Sequence, residues 1–443
     1  MVEQADLAIT SLGNCRVESP LAPLLVNRHL SMHYVEESDR VLFDDTLSAM
    51  GSRPGGQLPS FEPAGPRKQI FFDPSKTRAA IVTCGGLCPG LNDVIRALVM
   101  ELRRAYGVRH VYGFCNGYQG FVPKFGRCVI ELDHQAVGNI NEHGGTMLGT
   151  SRGAQDPAEI VDCLERMNIN VLFIIGGDGT IRGGMAIARE VAARGIKIAV
   201  VGIPKTIDND IMFIEQSFGF QTAFSEATKY IRAVHVEATG VPNGIGLVKL
   251  MGRHSGFIAC YASLAMSDAN IVLIPEVPFR LEGEQGLLNV LRRRIELRGH
   301  AVIVVAEGAG QDLMEKNGAA KDASGKDASG NNKLGDIGLW LKSRIEDHFK
   351  SLPMELNLKY IDPSYAIRSV PANPHDSVYC IRLAHAAVHA AMSGRTEMVV
   401  GRWHTRFVHV PMALAIRQRY TVDPDGDLWM AVLEATGQPR ELK

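Results

Sequence analysis

Gly176-Gly177-Asp178-Gly179-Thr180 follows the apolar run Val171–Ile175, which delivers a carboxylate at a strand end among residues with almost no side-chain bulk. Such a carboxylate can hold Mg2+ directly or through water while the flanking N–H groups take up phosphate oxygens. A glycine turn with a capping Asp would carry the same letters. Pro204-Lys205-Thr206-Ile207-Asp208-Asn209-Asp210 follows a second apolar run, Lys197–Ile203, and concentrates two carboxylates, an ammonium and a hydroxyl in seven residues. One carboxylate there can accept the proton of a substrate hydroxyl as its oxygen attacks phosphorus, and the other can support Mg2+. As a solvated Asx turn, the same segment would do no chemistry. Met251-Gly252-Arg253 ends a third run, Ile245–Leu250. Gly252 permits close approach, and Arg253 can neutralise a transferring phosphoryl group or form a surface ion pair. Cys84–Asn92 places glycines where backbone N–H groups can approach an anion before a helix begins. It lacks both GxGxxG and the Gly-Lys-Ser/Thr ending of a P-loop, so a tight strand–helix turn fits it equally. Cys84 and Cys88 read as packed thiols.

These stretches need strands that end where they begin. From Arg78 onward short apolar runs alternate with amphipathic ones, the pattern of parallel strands joined by helices. Strands are predicted at Ala79–Thr83, Val171–Ile175, Lys197–Ile203, Ile245–Leu250, Ile271–Ile274 and Ala301–Ala306. Helices are predicted at Phe220–Ala238, His254–Ala265, Gln285–Leu297 and Asp336–Phe349, with another opening at Leu91. That many strands exceed one compact sheet, so two doubly wound α/β lobes are expected, with functional loops at strand C-terminal ends. Residues 1–76 lack sustained periodicity and contain the Pro- and Gly-rich stretch Gly51–Pro66, which reads as an extension wrapped on other structure. The repeat Lys321-Asp322-Ala323-Ser324-Gly325, Lys326-Asp327-Ala328-Ser329-Gly330 is too polar to bury and reads as a mobile surface loop.

With 443 residues, 46% hydrophobic and 21% charged, the chain can bury substantial cores and is not globally disordered. Lys+Arg of 47 against Asp+Glu of 48 leaves no bulk field for nucleic acid or an anionic membrane, so any anion must be held locally. The eight cysteines lack CxxC spacing, as expected of reduced thiols in a cytoplasmic protein. No basic-then-apolar leader, membrane-length apolar run or peroxisomal ending is present in this sequence.

GGDGT, PKTIDND and MGR, in this order, resemble the phosphofructokinase family over roughly residues 77–405. The likeness is to the long plant- and trypanosomatid-type ATP-dependent members, whose pattern also matches Asn243–Phe257, Ala306–Leu313 and Lys359–Arg368. It implies two Rossmann-like lobes with the active site between them, an N-terminal extension and a C-terminal tail. The expected partition is 1–76; 77–219 with 376–404 for the nucleotide; and 220–375 with 405–443 for the sugar phosphate. It also implies γ-phosphoryl transfer from Mg-ATP to the 1-hydroxyl of fructose 6-phosphate by a homo-oligomer, dimer or tetramer. Gly85, Arg152, Gly177, Gly179 and Thr180 then match nucleotide contacts, and Asp178 the Mg2+ carboxylate. Thr206 and Asp208 face the sugar hydroxyl, with Asp208 as base and Asp210 in support. Met251, Gly252, Arg253, Glu276, Tyr365 and Arg368 match sugar-phosphate contacts.

Two positions bear on the alternatives. Pyrophosphate-dependent relatives usually place Asp at the position of Gly179, so Gly179 favours ATP, whereas Lys205 is shared with them. Shorter bacterial members reach a neighbouring subunit's sugar phosphate with an arginine where this chain has Gly244. Retention of Asp178, Asp208 and Arg253 argues against a silent regulatory subunit. A lipid or NAD kinase would explain GGDGT but neither TIDND nor MGR. His254 is expected to pack.

Overall fold

A computed structural model describes residues 3–21, 34–48, 58–318, 325 and 332–443. The chain forms two compact units. One comprises Met1–Ile207, Ile211–Gly219 and Ser369–Gln418, and the other Asp208–Asp210, Phe220–Arg368 and Arg419–Lys443.

The first unit is built on a nine-stranded sheet. Its central strands lie in the order Met398–Trp403, Ala199–Pro204, Val171–Gly176, Arg78–Thr83, His110–Phe114, all parallel. Numbered by their order along the chain, this is 5-4-3-1-2, so the winding direction reverses between Arg78–Thr83 and Val171–Gly176. Ligands of doubly wound sheets bind outside the strand carboxyl ends at such a reversal, and both Cys84–Asn92 and GGDGT begin there. The near-continuous apolar strands follow from burial on both faces. Ala79, Ile81, Phe173 and Ile175 pack on one side with helices Leu91–Met100 and Pro374–Met392. Ala80, Val82, Leu172 and Ile174 pack on the other with Pro157–Arg166 and Asp178–Ala193. Each fully buried Leu, Ile or Phe contributes about 1.5–3 kcal/mol, so a one-residue slip would cost more than any single loop contact returns.

The second unit holds a four-stranded parallel sheet in the order Ile271–Leu273, His300–Ala306, Gly244–Leu250, Asn357–Ile361. Helices Leu287–Arg298 and Ile337–Lys350 cover one face through Leu288, Leu291, Trp340 and Leu341. Phe220–Thr239 and Phe257–Met266 pack against each other and the sheet.

The edges of the first sheet depart from the sequence expectation. Arg406–Pro411 folds back antiparallel on Met398–Trp403, so residues 405–418, expected with the sugar-phosphate lobe, belong to the first unit. Residues 369–375 join it as well, leading into the Pro374 helix. Ser60–Pro63 pairs with Arg406–Pro411 and Val41–Leu42 with Ser60–Pro63, which makes part of the N-terminal extension the sheet edge. Arg67 and Arg395 both reach Glu62, and His409 hydrogen-bonds to it. Residues 51–57 of the Pro- and Gly-rich stretch, and the Lys-Asp-Ala-Ser-Gly repeat apart from Gly325, lie outside the described residues.

Candidate active site

In the first unit the loops at the strand ends are held side by side by extensions of the ladder. The Cys84 N–H donates to the Ile175 carbonyl (2.9 Å) and the Lys205 N–H to the Gly176 carbonyl (3.0 Å). Gly85 has φ +86°, a conformation that suits glycine. The Thr150 hydroxyl donates to its carbonyl (2.7 Å) and its N–H to the Ser151 carbonyl (3.1 Å), which ties in the loop bearing exposed Arg152. An added Cβ at Gly86 would lie 3.6 Å from the Arg152 guanidinium. Buried Lys205 donates Nζ to the Gly86 carbonyl at 2.6 Å, carrying its charge into the glycine loop.

Gly177 caps the helix Asp178–Ala193, so Asp178 stands in the first turn, half-buried. A Cβ on Gly179 would meet nothing within 4 Å, whereas one on Gly176 would strike the Thr180 side chain at 2.2 Å. Thr180 is thereby packed inward, and the Tyr118 hydroxyl donates to its carbonyl at 2.7 Å. The arrangement is a glycine-walled helix N-terminus with one carboxylate, suited to anionic oxygens and their metal. Cys84 and Cys88 are buried, and burial pushes the Cys84 thiol up to about 12.

In the second unit three neighbouring strands deliver charge from their C-terminal ends: Arg253 after Gly244–Leu250, Glu307 after His300–Ala306, and Arg368 after Asn357–Ile361. The first two are drawn together by backbone contact. Gly252 has φ +127°, and the Gly308 N–H donates to its carbonyl (3.0 Å). A Cβ on Gly308 would lie 2.0 Å from the Arg253 carbonyl, so neither glycine has room for a side chain. Burial raises the Glu307 carboxyl against the opposing pull of Arg253, Lys249 and Arg368. Lys249 pairs with Asp362 (2.8 Å) and Asp336 (3.0 Å). Asp362 caps the turn into Ser364–Arg368, on which Arg368 lies 4.5 Å over the exposed Tyr365 ring.

Asp208 and Asp210 flank Asn209, whose φ of +56° is tolerated by Asn. Asp210 is buried and paired with Arg419, and its carbonyl accepts from the Tyr420 N–H at 2.9 Å. The Asp208 carboxylate receives the Arg253 backbone N–H, and its carbonyl receives the Ser255 hydroxyl at 3.1 Å. Desolvation first, then the negative charges of Asp210 and Glu307, raise the Asp208 carboxyl well above the ordinary carboxylate range. Such a group holds a proton more readily than a solvated aspartate, as a base near neutrality must.

Among the expected sugar contacts, Asp208, Arg253 and Arg368 share this electrostatic cluster. Buried Met251 opens the loop that carries Arg253. The Glu276 Oε1 accepts from the Gly256 N–H (2.9 Å) and the Val422 N–H (2.8 Å), which joins the start of the Phe257 helix to the Arg419–Val422 segment. Thr206 accepts the Ser217 hydroxyl through its carbonyl at 2.6 Å. His254 is exposed rather than packed. Gly244 begins its strand with an added Cβ position only 2.0 Å from the Ala238 carbonyl, so the fold leaves no room for a side chain there. Sequence reasoning missed Glu307, Lys249 and Arg419. Glu307 carries a signal like that of Asp178, an acidic residue at the end of an apolar run, directly after Ala301–Ala306 where Asp178 stands two glycines beyond Val171–Ile175. Lys249, by contrast, is hidden inside a strand, and Arg419 is remote in sequence.

Residues 78–391 match the phosphofructokinase family (PFK). The chain belongs to the phosphofructokinase family. It is 56% identical over 99% of its length, and 96% of the relative's, to the ATP-dependent 6-phosphofructokinase of Amycolatopsis methanolica. Identity is 46% over 85% of this chain, and 76% of the relative, with the ATP-dependent 6-phosphofructokinase of Trypanosoma brucei brucei. Among solved structures, the pyrophosphate-dependent phosphofructokinase of Marinobacter aquaeolei is similar in fold. Its TM-score is 0.66 at 18% identity, covering 83% of this chain and 96% of that one. The doubly wound α/β architecture is thus that of the family. No helix among the described residues is long and apolar enough to cross a membrane.

Proposed function

We propose that this chain transfers the γ-phosphoryl group of ATP to the 1-hydroxyl of fructose 6-phosphate, giving fructose 1,6-bisphosphate and ADP. The observation that carries the chemistry is Asp208, whose carboxyl is raised first by burial and then by Asp210 and Glu307, and is held by the Arg253 N–H. In the reaction Asp208 accepts the proton of the 1-hydroxyl as its oxygen attacks phosphorus, with Thr206 beside it in sequence. Arg253 stabilises the charge of the transferring group, and Asp210, fixed by Arg419, keeps Asp208 in place. Met251 and Gly252 line the sugar alongside Arg253, and Tyr365 and Arg368 grip the 6-phosphate, which a guanidinium matches in charge and shape. Glu276 supports this site by tying Gly256 to Val422.

The first unit supplies the nucleotide contacts Gly85, Arg152, Gly177, Gly179 and Thr180. A lone carboxylate in the first turn of a helix fits Mg2+, which commonly takes one or two protein carboxylates and completes its shell with water and substrate phosphates; Asp178 would hold it. When bound, Mg2+ neutralises developing phosphate charge. The open space at Gly179 is what an ATP donor requires, and Lys205 adds positive charge to the same loops. Cytoplasmic residence and a homo-oligomer, dimer or tetramer, are proposed from the family likeness, with sedimentation as the check on assembly. A coupled assay offering ATP and pyrophosphate separately with fructose 6-phosphate and Mg2+ tests the reading. Turnover with ATP supports it, turnover confined to pyrophosphate overturns the donor, and none with either marks a silent subunit.

A further inference from the structure

We infer that Cys115 and Cys128 form an oxidisable thiol pair whose disulfide loosens the nucleotide loops of the first unit. Strands His110–Phe114 and Val129–Glu131 run antiparallel with Phe114 opposite Val129. The next rung sets Cys115 opposite Cys128, and the Cys115 N–H donates to the Cys128 carbonyl at 3.1 Å. Directly opposed residues of antiparallel strands have Cα atoms about 4.5–5.5 Å apart and project to one face, inside the span a disulfide bridges. Burial first, then the neighbouring Cys128, push the Cys115 thiol up to about 11, so Cys115 stays protonated and is not the first target of an oxidant. None of the eight cysteines is in a disulfide, but they differ in access: Cys128 is exposed, whereas Cys115 is buried. An oxidant therefore meets Cys128 first and finds a resolving thiol behind it.

The segment after Cys115 buttresses the nucleotide loops. The Asn116 N–H donates to the Leu148 carbonyl (2.8 Å), and a Cβ on Gly149 would lie 2.9 Å from the Asn116 amide. Gly117 sits so close to Ser151 that a Cβ would approach its hydroxyl to 2.5 Å, and Tyr118 holds the Thr180 carbonyl. Closing the S–S bond re-orients the Cys115 side chain, and through the segment that follows it disturbs the supports of Arg152 and Thr180 together.

With a hydroperoxide as oxidant, the Cys128 sulfur attacks the peroxide and its O–O bond breaks. Sulfenic acid forms at Cys128, and water or an alcohol leaves. The Cys115 sulfur then attacks that sulfur, the S–O bond breaks, the disulfide forms, and the sulfenic hydroxyl leaves as water with the Cys115 thiol proton. Two thiols lose two electrons and the peroxide gains them. A thiol reductant reverses the bridge.

The test is brief treatment of the full chain with hydrogen peroxide, followed by peptide mass analysis and measurement of ATP affinity by direct binding and by KM. Trypsin cuts after Lys124 and Arg127, between the two cysteines, so the bridge joins two peptides that are otherwise separate. Expected are a joined peptide lost on reduction and an ATP affinity weakened about three- to tenfold, the scale of up to 1.4 kcal/mol. Fructose 6-phosphate KM should be unchanged, and Cys128→Ser, an exposed and conservative change, should show neither effect. Oxidation of Cys128 to sulfinic or sulfonic acid without a joined peptide overturns the pair. A bridge that leaves ATP affinity unchanged overturns the coupling. The ATP effect rests on the proposed nucleotide role of these loops, whereas the joined peptide does not, so the two readings fail separately.

Discussion

The two units prepare for an anionic substrate in opposite ways. The loops of the first are made of glycine and backbone: Gly85, Gly86, Gly177 and Gly179 leave space, and the single carboxylate, Asp178, stands at a helix start. The second concentrates side-chain charge, with Asp208, Asp210, Glu307, Arg253, Lys249, Arg368 and Arg419 interacting across three strand ends and a C-terminal segment. The difference teaches where each is fragile. A backbone cradle fails when bulk is added, whereas a charge cluster fails when one member is removed and leaves its neighbours unbalanced.

Removing the base should therefore have the largest effect. Asp208→Asn is expected to lower kcat by about two to four orders of magnitude with modest change in sugar KM. Thermal unfolding should show a fold as stable as before or more so, because the neutral amide relieves repulsion from Asp210 and Glu307. Near-normal turnover would exclude Asp208 as base. Adding bulk and charge to the cradle comes next. The empty space at Gly179 lets the protein itself accept Gly179→Asp, while like charge facing the nucleotide phosphates should cut ATP kcat/KM about a hundredfold or more. Undiminished ATP use in the variant would place the nucleotide elsewhere.

Arg368→Ala should raise fructose 6-phosphate KM about ten- to a hundredfold, from the loss of a charge-assisted contact worth about 1.5–3 kcal/mol, and leave ATP KM nearly unmoved. Varying each substrate in turn, with a melting curve alongside, separates this from a purely structural ion pair. The same charge cluster sets a pH signature. Because Asp208 is raised in the fold, kcat/KM should fall on acidification at a higher pH than an ordinary carboxylate would impose. In stability the sign is opposite. Its proton is held in the fold and lost earlier from the unfolded chain, so its stabilising contribution is full at low pH and declines as pH rises through the folded value. The melting-temperature difference between Asp208→Asn and the parent should grow with pH, and a flat difference would contradict the raised carboxyl.

The smallest effect belongs to Glu276. Glu276→Gln keeps an acceptor for Gly256 and Val422 and should change sugar KM by less than about threefold, on the scale of one neutral hydrogen bond. A tenfold rise would instead make Glu276 a direct sugar contact.

The sequence by itself determined six of the parallel strands between Ala79 and Ala306 and the helices opening at Leu91, Phe220, His254 and Gln285, because apolar runs ending in Gly or Asp and helical spacing are local patterns that burial enforces. It did not show the strand His110–Phe114 or the helices Pro157–Arg166 and Asp178–Ala193. It also determined the residue types at those strand ends, so Asp178, Asp208 and Arg253 were legible, as was Arg368 through the family likeness. Tertiary structure alone decided that Arg406–Pro411 and Ser60–Pro63 complete the first sheet, since strands of two to six residues carry too little periodicity to announce a partner. It alone joined Glu307 to Arg253, through two glycines pressed backbone to backbone, and Arg419 to Asp210. It alone left no side-chain space at Gly244 and faced Cys115 with Cys128. A chemical type is written in one residue, but distance between residues far apart in the chain exists only once the sheets have formed.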